Sequence, residues 1–172
     1  MQLRILLIDD QPESVGPVVE EVSAKLIGAD SRVVDFDHGE DSLRDFQPHV
    51  VVLDLLKTGT EGHNEPVGKQ VLDFVWNKHF CPLILYSAVP EQLQDDVPKN
   101  PFVKVVKKGS GSEELVLKHI QEFEPHISAL DGVAREIGIL MNRALRDVAP
   151  RVFAEIPAPE SVNDFQIGRA HV

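Results

Sequence analysis

The sequence predicts an α/β fold built on a parallel sheet, and three observations carry that expectation. Four short runs are apolar throughout rather than alternating: Ile5 to Ile8, Val50 to Leu53, Pro82 to Tyr86 and Val103 to Val106. Continuous apolarity over so few residues marks strands covered on both faces. The segments between them carry apolar residues at helical spacing, so strands alternate with helices, and such alternation implies a parallel sheet with right-handed crossovers. Finally, 172 residues suffice for one ordinary domain plus an appendage but not for two full domains.

Each element has its own signature. After the first strand, Val15, Val18, Val19, Val22 and Leu26 form a helical stripe that stops at Gly28, a natural C-terminal position. A more mixed run, Arg32 to Phe36, reads as the second strand. Asp37 and Glu40 resemble a capping pair for a short helix carrying Leu43 and Phe46. Val67, Val71, Leu72 and Val75 make the stripe after the third strand. Glu91 to Asn100 is polar and hemmed by prolines, so any helix there is short. Ser112, Glu113 and Glu114 lead into Leu115, Val116, Ile120 and Phe123, a well-capped last helix. The order is βαβαβαβ(α)βα, over a domain spanning 1–125.

From His126 a second pattern begins. Ile127, Leu130, Ala134, Ile137, Met141, Ala144 and Val148 are spaced alternately three and four apart, a heptad-like seam broken at Pro150. It predicts a helix over 126–149. That helix either packs on its own domain or serves as a homodimer seam or signalling linker; Gly132 and Gly138 weaken the coiled-coil reading, and both stay open. An extended tail is expected over 150–172. Its last residues, 167–172 (Ile167-Gly168-Arg169-Ala170-His171-Val172), match one frame of a common sequencing adapter. If that match is an artefact, the gene was cut short and a further domain could follow; an intact genomic locus encoding the same ending would overturn this.

Composition narrows the function. Seventeen basic against twenty-eight acidic side chains leave a net charge of −11, with no basic cluster, so direct nucleic-acid binding by this segment is not expected. Cys81 is the only cysteine, which rules out an internal disulfide and fits a reducing compartment. No apolar run approaches the roughly 20 residues that span a bilayer, and the first residues lack the apolar stretch of a signal peptide. A cytoplasmic protein without membrane contact is the expectation.

The chemistry sits at the strand ends. In an open α/β sheet, ligands bind beyond the carboxyl ends of the strands. Asp9 and Asp10 close the first strand and Asp54 closes the third. Several carboxylates in one pocket repel unless a cation intervenes, and oxygen-only ligands suit Mg²⁺. Ser87 follows the fourth strand, where a hydroxyl could donate to a phosphoryl oxygen. Lys108 follows the fifth, where an ammonium could neutralise phosphoryl charge. A serine there is by itself usually a turn former, and a lysine a solvated strand end. Their weight comes from co-occurrence.

Through Ile5-Leu6-Leu7-Ile8-Asp9-Asp10-Gln11-Pro12, Val51-Val52-Leu53-Asp54-Leu55, Tyr86-Ser87-Ala88 and Val105-Val106-Lys107-Lys108-Gly109, residues 1 to about 124 resemble the receiver domain of two-component response regulators. The resemblance implies a flavodoxin-like, doubly wound five-stranded sheet with Asp54 as phosphoacceptor. It implies Mg²⁺ held by Asp9, Asp10, Asp54 and the Leu56 backbone carbonyl, Ser87 as the switch hydroxyl and Lys108 as the family's lysine. Lys108 is preferred to Lys107 because Leu115 stands at the family's helix-leucine spacing from it, and Lys107 stays open. The implied donor is a histidine kinase or phosphotransfer protein. The only activities implied are self-phosphorylation and slow self-dephosphorylation, not enzymatic turnover.

The sequence departs from the family pattern in three places. Lys57 to Pro66 looks like an insertion beside the site; His63 within it reads as a loop histidine rather than a metal ligand. Valines 103, 105 and 106 stand where strand five usually carries an aromatic switch residue, and the fourth helix looks stunted. These departures keep a second reading alive, a pseudo-receiver that switches by partner binding alone. A third, an aspartate-nucleophile phosphohydrolase, would need acids one residue apart after strand one, and Gln11 follows Asp9-Asp10 instead.

Overall fold

The computed structural model describes residues 2–54, 57–58, 64–65, 71–75, 81–90 and 100–155, with side chains over 2–54, 71–75, 81–90 and 100–147. Five strands form one sheet: β1 (Arg4–Ile8), β2 (Asp30–Val34), β3 (Val50–Leu53), β6 (Leu83–Ser87) and β7 (Val103–Lys107). Their order is β2-β1-β3-β6-β7 and every pairing is parallel. Between β3 and β6 lie two short strands, β4 (Lys57–Thr58) and β5 (Asn64–Glu65), paired antiparallel, so the insertion carries its own ladder. The helices are α1 (Gly16–Lys25), which follows a 3-10 turn at Pro12–Val15, then α2 (Gly39–Phe46), α3 (helical over 71–75) and α4 (Ser112–Glu155).

The continuous apolar runs are explained by two cores. Successive side chains of a strand point to opposite faces. Ile5, Leu7, Val50, Val52, Ile84 and Tyr86 enter one core, with Val18 and Val22 of α1 and Val116, Ile120 and Phe123 of α4. Leu6, Ile8, Val51, Leu53, Leu83 and Leu85 enter the other, with Leu43 and Phe46 of α2 and Val71, Leu72 and Val75 of α3. The central strands β1, β3 and β6 are sandwiched, which is why polar alternation is missing from them. The α/β doubly wound sheet expected from the sequence is what forms.

Local differences have physical causes. Strand β2 begins two residues earlier than the Arg32 to Phe36 run; as an edge strand it has one neighbour, and its side chains are mostly half-buried or exposed. Phe36 is buried just after it, in the second core. Asp37 and Glu40 do not form the expected capping pair. Asp35 Oδ1 instead accepts from the backbone N–H of His38 (3.0 Å) and lies 2.6 Å from His38 Nδ1. Ser112 lies in the first turn of α4, and its hydroxyl reaches back to donate to the Gly109 carbonyl at 2.6 Å. Gly111 before it has φ +77, a left-handed conformation that glycine adopts without strain.

Helix α4 runs unbroken through His126 and past Pro150 to Glu155, where the sequence pattern suggested separate segments. Pro125 takes only one backbone bond from the ladder, the one that would reach Gln121. The chain divides into two compact units, Met1–Ser128 and Ala129–Val172. The last buried side chain of the first unit is Ile127. The expected short helix over 91–100 falls almost wholly outside the described residues, as do Val67, His63 and the tail from 156.

Candidate functional site

The site is assembled by backbone bonds at the carboxyl edge of the sheet. The Asp9 N–H donates to the Val34 carbonyl at 3.1 Å, which ties the end of β1 to β2. The Asp54 N–H donates to the Ile8 carbonyl at 2.9 Å and sets Asp54 beside Asp9. The Lys108 N–H donates to the Ser87 carbonyl at 2.9 Å, so the residues after β6 and β7 are locked together. Asp9, Asp54 and Ser87 are buried, with Asp9 and Ser87 each 1% exposed. Asp10 is half-buried.

Lys108 joins these ends. Its ammonium donates to Asp9 Oδ2 at 2.6 Å, to Asp54 Oδ2 at 2.7 Å and to Ser14 Oγ at 3.2 Å, contacts made across 99, 54 and 94 residues of chain. It also lies 5.5 Å from the Tyr86 ring centroid, within cation–π range. Burial alone would pull this ammonium down. The hydrogen bonds and charges of Asp54 and Asp9 outweigh it, so Lys108 sits above its ordinary value and stays charged. One carboxylate oxygen of Asp9 is shared with the Ser14 hydroxyl (2.7 Å), and its other oxygen accepts the Gln11 N–H (2.8 Å). Lys107, by contrast, is exposed at the end of β7.

Asp9, Asp10 and Asp54 each offer a carboxylate oxygen, and these atoms all lie within 4.8 Å of one another. Three hard oxygen donors at that spacing, with no nitrogen or sulfur among them, are the chemistry that a small divalent cation such as Mg²⁺ prefers. The Leu56 carbonyl expected as a further donor lies outside the described residues.

Ser87 accepts a long, 3.5 Å bond from the Val89 N–H, near the outer limit for such a contact. Two residues not singled out in the sequence also belong here. Ser14 holds Asp9 and Lys108 together, and Tyr86 bonds through its hydroxyl to Ser112 Oγ at 2.7 Å, tying the end of β6 to the first turn of α4. The signal for Ser14 was its place one residue before the buried stripe that starts at Val15. The signal for Tyr86 was a polar-tipped aromatic at the end of an otherwise aliphatic strand.

No protein-family model matches the chain, and a search of curated proteins finds no match. Solved structures do match. The signal receiver domain of a Luxo repressor protein from Vibrio parahaemolyticus is 16% identical, with a TM-score of 0.56 over 77% of this chain and 98% of that one. The receiver domain of NtrX from Brucella abortus is 22% identical, with a TM-score of 0.55 over 70% of this chain and 98% of that one. This is the response-regulator receiver fold. The anti-anti-sigma factor PhyR from Bartonella quintana shares it at 14% identity, with a TM-score of 0.54 over 76% of this chain and 52% of that longer one. In receiver terms, the three acids, the serine and the lysine stand at the ends of β1, β3, β6 and β7, on one edge of the sheet. Of the strand-five valines that stand in place of the family's aromatic, Val106 is buried and Val105 is 44% exposed. Among the described residues no helix is long and apolar enough to cross a membrane.

Proposed function

We propose that this chain is a phosphoryl-accepting switch, with Asp54 as the acceptor and a phosphohistidine on a histidine kinase or phosphotransfer protein as the donor. The observation that supports it most directly is the single ammonium of Lys108 held between the carboxylates of Asp9 and Asp54. A carboxylate is a weak nucleophile toward phosphorus, so the reaction depends on positioning and charge compensation. An Asp54 carboxylate oxygen attacks in line, the O–P bond forms as the P–N bond to the donor imidazole breaks, and the imidazole leaves and takes up a proton. Asp9, Asp10 and Asp54 would hold Mg²⁺, which supplies positive charge against the phosphoryl oxygens. Lys108 then transfers part of its hydrogen bonding from the free carboxylate to the phosphoryl group. The Ser87 hydroxyl, which accepts a long bond from the Val89 N–H, turns to donate to it and biases the surface between two states.

A specific observation favours a second reading, a pseudo-receiver that acts by partner binding without phosphorylation: strand β7 carries valines at 103, 105 and 106 and no aromatic that could move between buried and exposed positions. The test is incubation with acetyl phosphate and Mg²⁺, read by intact mass. The proposal expects one added phosphoryl group in the wild type and none in Asp54→Ala. Folded protein that gains nothing, and that shows no spectral change on beryllofluoride titration, would instead establish the pseudo-receiver.

A further inference from the structure

We propose that α4 beyond Ser128 is a self-association surface, occupied by the same segment of a second copy of this chain in a parallel, two-stranded coiled coil. The inference is independent of phosphorylation at Asp54. Over 129–147 the helix carries Leu130, Val133, Ile137, Leu140, Met141 and Leu145, each between 42% and 60% exposed. At 3.6 residues per turn these side chains, with Ala134 and Ala144, fall within an arc of roughly 140°. Ile139 is the one large aliphatic residue of 129–147 on the opposite side. A helix gains most of its stability from covering such a stripe, and here the stripe stands about half exposed to solvent.

Three features identify the occupant. The first is period: Leu130, Ala134, Ile137, Met141 and Ala144 are spaced alternately four and three apart, which a second helix of the same 3.5-residue repeat matches along its length. Charge is the second. The chain as a whole carries −11, but 129–147 holds three acids (Asp131, Glu136, Asp147) against three arginines (Arg135, Arg143, Arg146). Two copies therefore meet here without net repulsion, and a strongly charged partner finds no complement. The third is the start of the seam. Ile127, one heptad before Ala134, is only 3% exposed in the first unit's core, so the free stripe opens at Leu130.

Orientation follows from the flanking residues. With Ala134 and Met141 at a, and Leu130, Ile137 and Ala144 at d, Leu140 is at g and Leu145 at e. In a parallel pair g of one helix meets e of the other, so Leu140 packs on Leu145 of the second copy, and Asp131 and Asp147 fall at opposite ends of the seam. An antiparallel pair sets e against e and g against g. It would press Asp131 against Leu145 and Asp147 against Val133, and would leave Leu140 facing Leu140 rather than Leu145, so acids rather than apolar side chains would flank the seam. The described seam is short for a coiled coil, so the dimer should be reversible and concentration-dependent.

The test is sedimentation equilibrium of the full chain over a micromolar concentration series. The expected mass rises toward twice that of one chain. It stays at one chain for the double variant Ile137→Glu, Leu140→Glu, and is unchanged by Arg146→Ala on the polar face. Because the glutamates sit at exposed positions, the thermal midpoint of the first unit should not move; a cross-linking measurement provides a check that does not rely on them. Met141→Cys should form a disulfide-linked dimer on mild oxidation, whereas a mixture of Ala134→Cys and Ala144→Cys chains should not link to each other. A wild type that is monomeric throughout overturns the proposal. So does association that survives the glutamates, a trimer or tetramer, or linkage found only in the mixed pair.

Discussion

Lys108 is the residue on which the site's electrostatics turn. Removing one partner of a fully buried ion pair costs about 3–5 kcal/mol; Lys108 keeps some exposure, so Lys108→Met should cost ~2 kcal/mol in urea unfolding. The pH dependence has a defined sign. The folded value lies above the ordinary 10.5, so the ion pair's contribution is complete below pH 10.5 and disappears as pH rises through the folded value. Wild type and Lys108→Met should therefore differ by a constant amount at neutral pH and converge in strong alkali. A variant whose deficit is flat through that range would refute the pairing. Tyr86→Phe removes the buried bond to Ser112 and leaves that hydroxyl its Gly109 contacts, so about 1 kcal/mol should be lost. Cys81 is buried and its thiol pushed up to about 12. Thiol reagents should leave it untouched at neutral pH until the protein unfolds; fast labelling of native protein would contradict its burial. Most of these site residues could be read from the sequence because each closes a strand. Ser14 could not, because its contact depends on how a 3-10 turn folds back over Asp9.

At the scale of elements, the strands were legible because sandwiching removes polar alternation. The edge strand β2 was blurred because one free flank lets polar residues in. The most demanding element is β6, whose Leu83, Ile84 and Leu85 are fully buried between two helical layers. Ile84→Ala should cost about 2–5 kcal/mol in chemical denaturation, since packed side chains on all sides limit collapse into the cavity. A loss under 1 kcal/mol would mean that the first core is looser than its burial indicates. The start of α2 was misread because a capping box was sought in Asp37 and Glu40, whereas the turn before the helix brings Asp35 to the His38 N–H. Its hydrogen bond to Asp35, with the nearby negative charge, raises His38 above its ordinary value. In NMR titration His38 should titrate above 6.5, and Asp35→Asn should return it toward that value.

At the scale of the whole molecule, every described residue of the two cores lies before Ala129. Both cores are complete by Ile127, and the five site residues precede it. A chain ending at Ser128 should therefore unfold cooperatively, with a midpoint close to that of the full chain, and should take a phosphoryl group from acetyl phosphate if the full chain does. If that fragment were unfolded, the division into two units would be wrong. Among the described residues the second unit contributes an apolar helical face and no site residue, so its effect should appear in assembly rather than in phosphoryl uptake.

Alternating apolar runs and helical stripes, together with an acid pair, a third acid, a hydroxyl and a lysine in strand order, determined by themselves the α/β class, the parallel sheet and the edge on which those polar residues gather. Those features are local: a residue's neighbours in sequence decide its strand, its face and the strand end it occupies. The tertiary structure alone decided what distance in sequence hides. It brought the Lys108 ammonium to two carboxylates far away in the chain, and it set Ser14 and Tyr86 beside them. It also put a paired strand ladder into the insertion and carried α4 through two prolines, because a long helix loses only one backbone bond at each and keeps the rest.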